Sequence, residues 1–445
     1  MPSEELLFLL LGPALAALFG LLFLWLAMRN ERKRRLITDL PTSKTTGVFI
    51  GLVELDGRVR CAEPLISHLT EEPCALYRWS VQERWSKWVT ETYRDSKGNS
   101  HTRQVHKSGW STIDSGGDDI PFELVDSHGA VRVIPDGADI EAEEVLDHTC
   151  GEDDPLYYGK GPEEAISHSD HRRQFSETAL PIGVAVHVIG QARERMDIVA
   201  AEIAFNRDAP LFVITVRGER ALVSSYRWAV IGWWLLGLVV TLGVSMFIQP
   251  VFVHSNGMEA QEDAITRGII ALTGYFTASG MGWLWMAHNS LVELRQRVFQ
   301  AWANIDVQLK RRADLIPNLV RIVEAAGGHE RSTLEAATLL RSQRVATRPG
   351  KAGPDPQACG AVLVGLDEQY PTLRADAAFR SLASALSDTE ERIALARGYV
   401  NDIATHLNTR LETIPDNLVA ALTGIKAQAL MQADGFERDA PRIRM

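Results

Sequence analysis

The sequence predicts a multi-domain integral membrane protein: three transmembrane helices, a β-rich (α+β) soluble domain and an all-α antiparallel helical bundle. Three observations lead there. Residues 6–28, 228–248 and 268–287 contain no Asp, Glu, Lys, Arg or His. At about 1.5 Å of rise per residue, each run is long enough for a hydrocarbon core of about 30 Å. Residues 45–226 alternate β-branched and aromatic runs with turn residues, and from residue 288 onward apolar side chains recur at helical spacing.

The composition narrows the class further. The chain has 445 residues, and 46 Lys and Arg face 57 Asp and Glu, a net charge of −11. An acidic chain repels nucleic acid overall, so a general phosphate-backbone binder is excluded. Four widely spaced cysteines, Cys61, Cys74, Cys150 and Cys359, make no disulfide framework and too few thiols for a multi-zinc module. They fit a reducing compartment.

The first element is an amino-terminal anchor, residues 1–28. Glu4 and Glu5 lead it, while Arg29, Arg32, Lys33, Arg34 and Arg35 trail it, the reverse of a secretory signal. Arg217, Arg220 and Arg227 precede the 228–248 span, Arg295 and Arg297 follow the 268–287 span, and Arg267 sits on the opposite side. Basic flanks stay in the cytoplasm, so the amino terminus and the 249–267 loop are expected outside, with both soluble domains inside a cell membrane. Trp25, Trp228, Trp233, Trp234, Trp283 and Trp285 lie toward the same ends, where indole prefers the headgroup layer. Gly274, Ala278 and Gly282 put small side chains every four residues, a spacing for close helix packing. With no ionisable group inside a span, a transporter is not expected.

The second element, residues 45–226, carries strand-like runs at 48–53, 74–81, 88–93, 103–106, 122–125, 131–134, 183–189 and 211–216. Asp126, Ser127, His128 and Gly129 mark a hairpin turn. Here the chain resembles the GIDE domain of membrane-anchored ubiquitin ligases and their prokaryotic relatives. The resemblance is carried by GLVELDGRVRCAEPLISHLTEEPCALYRWSVQERW from Gly51, PFELVDSHGAVRVIPDGA from Pro121 and ETALPIGVAVHVIGQA from Glu177. In those ligases a RING follows the second span; this chain has no Cys-x-x-Cys anywhere, so the ligase activity does not carry over. His148 and Cys150, with His168 and His171 some twenty residues later, have zinc-ligand types, yet the segment reads as a loop and no metal is assigned. The eleven acids against one Lys between 136 and 164 read either as a solvated acidic loop, the favoured reading, or as a receiver for a basic partner or a cation.

The third element is residues 288–445. Leu291, Val298 and Ile305, with Trp302, Leu309, Ile316 and Val323, form one apolar stripe continuing the span. Pro317 is expected to kink that helix or to begin a new one capped by Asp314. Gly327 and Gly328 are read as a stop, Ser332 with Glu335 as a capping box, and 347–360 as a flexible linker. Phe379, Leu386, Ile393, Val400, Leu407 and Ile414 then recur every seven residues, with Leu382, Thr389, Ala396 and Ile403 between them, a coiled-coil-like bundle helix. Pro415 is expected to end or bend it, and 418–431 offers a last short helix.

These residues resemble the LemA family. The match runs through AWANIDVQLKRRADLIPNLVRIVEAAGGHERSTLEAAT from Ala301 and YPTLRADAAFRSLASALSDTEERIALARGYVNDIATHLNTRLETIPDNLVA from Tyr370. Val400, Leu407 and Ile414 stand where the family tends to have aromatics. The polar residues shared with the family, together with Pro317, are Asp306, Arg311, Arg312, Asp314, Asn318, His329, Glu330, Arg341, Arg397 and Asn401. They form either a partner surface or the caps and ion pairs of the bundle. No two-histidine zinc helix, phosphate loop or nucleophile elbow is present. The resemblance therefore implies a non-enzymatic membrane scaffold without a cofactor, with lipid, other proteins and a second copy of itself as partners. The alternative is a component of a GIDE-type ubiquitin-ligase-like conjugation system acting with a separate RING-like protein.

Overall fold

The computed structural model describes residues 3–94, 100–195, 200–248, 258–325 and 377–431. It divides into two compact units, Lys44–Gly218 and a second made of Met1–Ser43 with Glu219–Met445.

The first unit is built of two sheets. Strands β1 (Gly51–Arg60), β5 (Phe122–Val125), β6 (Ala130–Val133), β11 (Ala201–Ala204) and β10 (Ala185–Glu194) pair in that order, and β10 pairs back to β1 to close a barrel. Strands β12 (Val213–Thr215) and β7 (Asp139–Glu141) extend the same sheet. Alternation along each strand sends Val53, Leu55, Val59, Phe122, Leu124, Val131, Val133, Val186, Val188, Ile203 and Ile214 into one apolar core.

The second sheet joins β2 (Leu65–Ile66), β3 (Pro73–Arg94), β9 (Ser169–Pro181) and β8 (Glu143–Gly151), with β4 (Ser100–Asp119) on the other edge of β3. The runs at 74–81 and 88–93, expected as separate strands, are one strand of 22 residues. Pairing from Leu76 with Asp119 to Arg94 with Ser100, broken by one register shift between Val81 and Gln82, holds it together through residues of modest strand propensity. The acidic stretch, expected as a loop, instead contributes β7, β8 and the one-turn helix α2 (Pro155–Gly159). Backbone pairing to β9 and β12 satisfies its amides, and its acids point outward.

The expected hairpin turn at 126–129 forms, and Asp126 organises it. Its carboxylate accepts from Thr45 N (2.9 Å), Thr45 Oγ1 (2.5 Å), His128 N (2.7 Å) and Gly129 N (2.9 Å). Burial alone raises the Asp126 pKa, but these donors reverse the sign and hold it below the usual carboxylate value. Its stabilising contribution is therefore complete above the unfolded pKa near 4, and is lost as pH falls through the lower folded value. An acid titration monitored by intrinsic fluorescence is expected to show less acid destabilisation for Asp126→Asn than for the wild type in that range.

In the second unit α1 (Ser3–Thr38), α3 (Gly218–Gly243, continued by a π turn at Val244–Ile248) and the 68-residue α4 (Met258–Ala325) lie together. Among the described residues, two helices are long and apolar enough to cross a membrane, Ala14–Thr38 and Gly218–Met246. The run expected as a third span lies inside α4 and is not among them, since its four glycines with Thr273, Thr277 and Ser279 dilute its hydropathy. Pro317 neither ends α4 nor opens a new helix; it sits inside it. Helix α5 (Ala377–Glu412) packs on α4, and α6 (Asp416–Thr423) follows. Ser290 meets Arg410 and Arg312 meets Glu390, so numbers rise along α4 as they fall along α5 and the two run antiparallel.

Phe379, Leu382, Leu386, Thr389, Ile393, Ala396, Val400, Ile403 and Leu407 are all buried, as their spacing requires. Ile414, on the same seven-residue row, is 80% exposed because α5 has already ended at Glu412. The last expected helix stops at Thr423, where Gly424 adopts a left-handed cap (φ 69°), and residues beyond it run extended. The proposed stop at Gly327 and Gly328, the Ser332–Glu335 box, the 347–360 linker, Cys359, and His329, Glu330 and Arg341 lie outside the described residues.

Candidate functional site

The polar residues singled out on the carboxy-terminal helices divide by burial. Arg312 is fully buried, and its Nη1 donates to Glu390 Oε1 at 3.1 Å, tying α4 to α5 beside the apolar cluster of Ile316, Leu319, Phe379, Leu382 and Leu386. Arg311, Asp314 and Asn318 are exposed, and Asn318 accepts from Arg321 on the next turn. Asp306, Pro317 and Arg397 are half-buried.

Asn401 has a structural task that its position alone does not disclose. Its Oδ1 accepts from Met431 N (2.7 Å) and its Nδ2 donates to Met431 O (3.1 Å). Seven residues on, Asn408 holds Gln428 in the same way, at 2.8 Å for both bonds. Two side-chain amides on one face of α5 thus clamp the extended segment after α6. Alanine at either position is expected to cost about 1–3 kcal/mol, and to raise hydrogen exchange at the Gln428 or Met431 amide.

A dense polar arrangement lies where α1 meets α5 and α6. Arg410 donates through Nε (2.8 Å) and Nη2 (2.5 Å) to Asp416 Oδ2, and through Nη1 to Asp39 Oδ2 (2.5 Å) and Ser290 Oγ (2.8 Å). Arg35 Nη1 reaches both oxygens of Asp416 at 3.1 Å. Burial pushes the Asp39 carboxyl up, and Arg410 pulls against that shift. Arg35, Asp39 and Asp416 border a cleft of about 250 Å³ that also takes in His406 and Pro415. One guanidinium therefore fastens the end of the first apolar helix to both α5 and α6. Neither the apolar stripes nor the shared motif singles out Arg410 and Asp416. Their one local hint is that Asp416 follows a proline and opens a helix.

Between the apolar helices, Gly282 permits a close approach, since a Cβ there would stand 2.1 Å from Met28 Cε. Gly237 does likewise, with Tyr275 Oη 2.6 Å away, and Tyr275 donates to Trp234 O at 2.7 Å. Gly274 and Ala278, which share the four-residue spacing with Gly282, instead line a cavity of about 430 Å³ between α1, α3 and α4.

In the barrel unit, His148, Cys150 and Asp154 bring one ligand atom each to within 4.8 Å of one another. His168 and His171, grouped with them from sequence, go elsewhere: His171 Nδ1 stands 2.6 Å from Glu152 Oε1, and His168 occupies a left-handed turn position (φ 63°). Asp154 was not grouped with them, although proline directly after an aspartate is a helix-start signal. Among the described residues Cys74 is also buried, and burial, with the charge of Glu177 adding, pushes its thiol up to about 11.

Residues 301–445 match the LemA family, and residues 90–247 match GIDE, described as E3 ubiquitin ligase. The chain thus joins a GIDE segment to a LemA segment. Each match covers about a third of the chain, and the GIDE match runs through α3. Among curated proteins, magnetosome protein MamQ 2 of Paramagnetospirillum magneticum is 25% identical over 181 residues, 34% of this chain and 66% of that protein. Magnetosome protein MamQ of Magnetospirillum gryphiswaldense is 25% identical over 190 residues, 36% of this chain and 67% of that protein. The matched stretch spans about two thirds of the length of these relatives.

Proposed function

We propose that the protein is a non-enzymatic scaffold of the LemA type, fixed in the cell membrane and organising partner proteins at its cytoplasmic face. The observation that carries this reading is the Arg410 joint. Its ion pairs and hydrogen bonds hold the LemA-matching helices α5 and α6 to the end of a membrane-length helix, so the helical surface is presented at a set distance from the bilayer. The exposed Arg311, Asp314 and Asn318 then form the partner-facing side. The match to magnetosome proteins supports a place among membrane-associated assemblies.

In this reading the 268–287 stretch of α4 is a third span, with α4 and α5 as the antiparallel core of a bundle, the amino terminus and the 249–267 loop outside, and both soluble units inside. Basic flanks on one side and tryptophans at the same ends support it. Single cysteines placed in the loop and in each unit of a cysteine-free variant, labelled with an impermeant reagent in intact cells, test it. Labelling confined to the loop is expected; labelling of the units from outside reverses the topology. The scaffold role is tested by crosslinking and capture from gently solubilised membranes. Defined partners recovered with the wild type and lost with Arg311→Glu/Asp314→Lys are expected, whereas recovery of the chain alone in every condition refutes the role.

A second reading follows from the GIDE match, described as an E3 ubiquitin ligase. Without Cys-x-x-Cys pairs the chain supplies no RING of its own, so it would act as the membrane-bound half of a conjugation system whose zinc-bound module is another protein. Recovery of a RING-like protein in the same capture favours this reading.

A further inference from the structure

We propose that His148, Cys150 and Asp154 form a three-ligand site for zinc or a zinc-like divalent cation on the barrel unit, independent of the scaffold reading. The local structure builds the site from a strand and a helix start. Residues 148 and 150 are two apart on β8, and the twofold alternation of a strand sends both side chains to one face. On that face Cys150 is buried against Leu69, Val81, Tyr157 and Phe175, so the thiol is held from below. The chain then turns back and Asp154 caps α2: its Oδ1 accepts from Leu156 N at 2.9 Å, which leaves Oδ2 aimed at His148 Nε2, 3.0 Å away.

A soft thiolate, an imidazole and a carboxylate are the donor set that a borderline cation such as zinc takes, and tetrahedral zinc places its donors about 3.3–3.8 Å apart. The three atoms already lie within 4.8 Å of one another, so rotation about side-chain bonds closes the remainder. Thiolate and carboxylate together neutralise a divalent charge, and the adjacent Glu152 and Asp153 add a favourable field. Arg173, opposite Cys150 in the strand pairing, is already neutralised by Glu83 at 3.2 Å. The Leu156 amide acts as an outer partner that orients the carboxylate. On binding, the Cys150 thiol gives its proton to solvent, the His148 imidazole exchanges its Nε2 proton through solvent so that only Nδ1 stays protonated, and the Nε2 to Oδ2 hydrogen bond is replaced by two metal bonds. His148 and Asp154 face solvent, so the fourth position falls to water or an incoming ligand.

The test uses the full chain in detergent, reduced and free of a polyhistidine tag, stripped with a chelator and reloaded with Zn²⁺ or Co²⁺. About one zinc per chain is expected after gel filtration, and the Co²⁺ form is expected to show a thiolate-to-metal charge-transfer band. Cys150→Ser is expected to remove that band. His148→Ala and Asp154→Asn are expected to weaken Zn²⁺ binding at least about tenfold, with asparagine preserving the helix cap. His171→Ala is expected to bind as the wild type does. Zinc retained equally by Cys150→Ser, or binding abolished by His171→Ala and unaffected by Asp154→Asn, overturns the site.

Discussion

Replacing Arg410 with alanine is expected to speed amide exchange across α5 and α6 by about a hundredfold to a few thousandfold. The guanidinium is 13% exposed and its partners Asp39 and Asp416 are 10% and 11% exposed, so removing it strands two carboxylates largely out of water. An uncompensated buried charge of this kind costs about 3–5 kcal/mol, and each 1.4 kcal/mol is a factor of ten in the opening equilibrium. Arg35 remains hydrogen-bonded to Asp416 but acts on Asp39 only through its charge, so Asp39 bears the larger penalty. The double variant Arg410→Ala/Asp39→Asn is expected to recover part of the loss. Exchange measured by mass spectrometry in detergent decides the matter: wild-type protection in Arg410→Ala would mean that apolar packing alone holds the helices in place.

The second large effect is expected in the barrel unit. Arg173 and Glu83 are both fully buried, and Arg173 donates to Glu83 Oε2 through Nε (3.3 Å) and Nη2 (3.2 Å). The same guanidinium donates to the carbonyls of Tyr157 (2.8 Å), Pro162 (2.7 Å) and Glu164 (3.3 Å), and lies 4.0 Å from the centre of the Tyr157 ring. Glu83 Oε1 accepts in turn from Tyr157 Oη (3.3 Å) and from Ser169 Oγ. Arg173→Met leaves one buried carboxylate without its counter-ion and three carbonyls without the guanidinium donor, and a loss of about 3–5 kcal/mol is expected. Glu83→Leu/Arg173→Met is expected to be milder than Arg173→Met, since replacing both partners removes the stranded charge. Urea unfolding followed by tryptophan fluorescence orders the variants, and equal losses in the single and double variants would contradict the charge account.

Much of this architecture was legible from local pattern. The row from Phe379 to Leu407 is buried position by position, because a period of seven on one helix fixes its inward face whatever it meets. Two of the three uncharged stretches coincide with helices of membrane length, for the same local reason. The turn at Asp126–Gly129 was readable because its residues bond to one another. Local reading failed where pairing overrode propensity: the acidic run became strand once β9 and β12 supplied its backbone partners. Of the two outcomes open to Pro317, a new helix is ruled out, since it stays within α4, whose flanking turns are packed against α5.

Amino-acid order alone thus settles which segments are apolar, which face of each helix is hidden and where the GIDE and LemA motifs fall. Folding alone selects the charge partners. Asp39 and Arg410 are 371 residues apart and Glu83 and Arg173 are 90 apart, and among 46 cations and 57 anions no spacing rule singles out those pairs. His148, Cys150 and Asp154 are close in sequence, yet they converge only because a strand ends and a helix begins between them. Periodicity acts through neighbours on one element and can be read one element at a time, whereas the energy of a buried charge depends on what the rest of the chain brings to it.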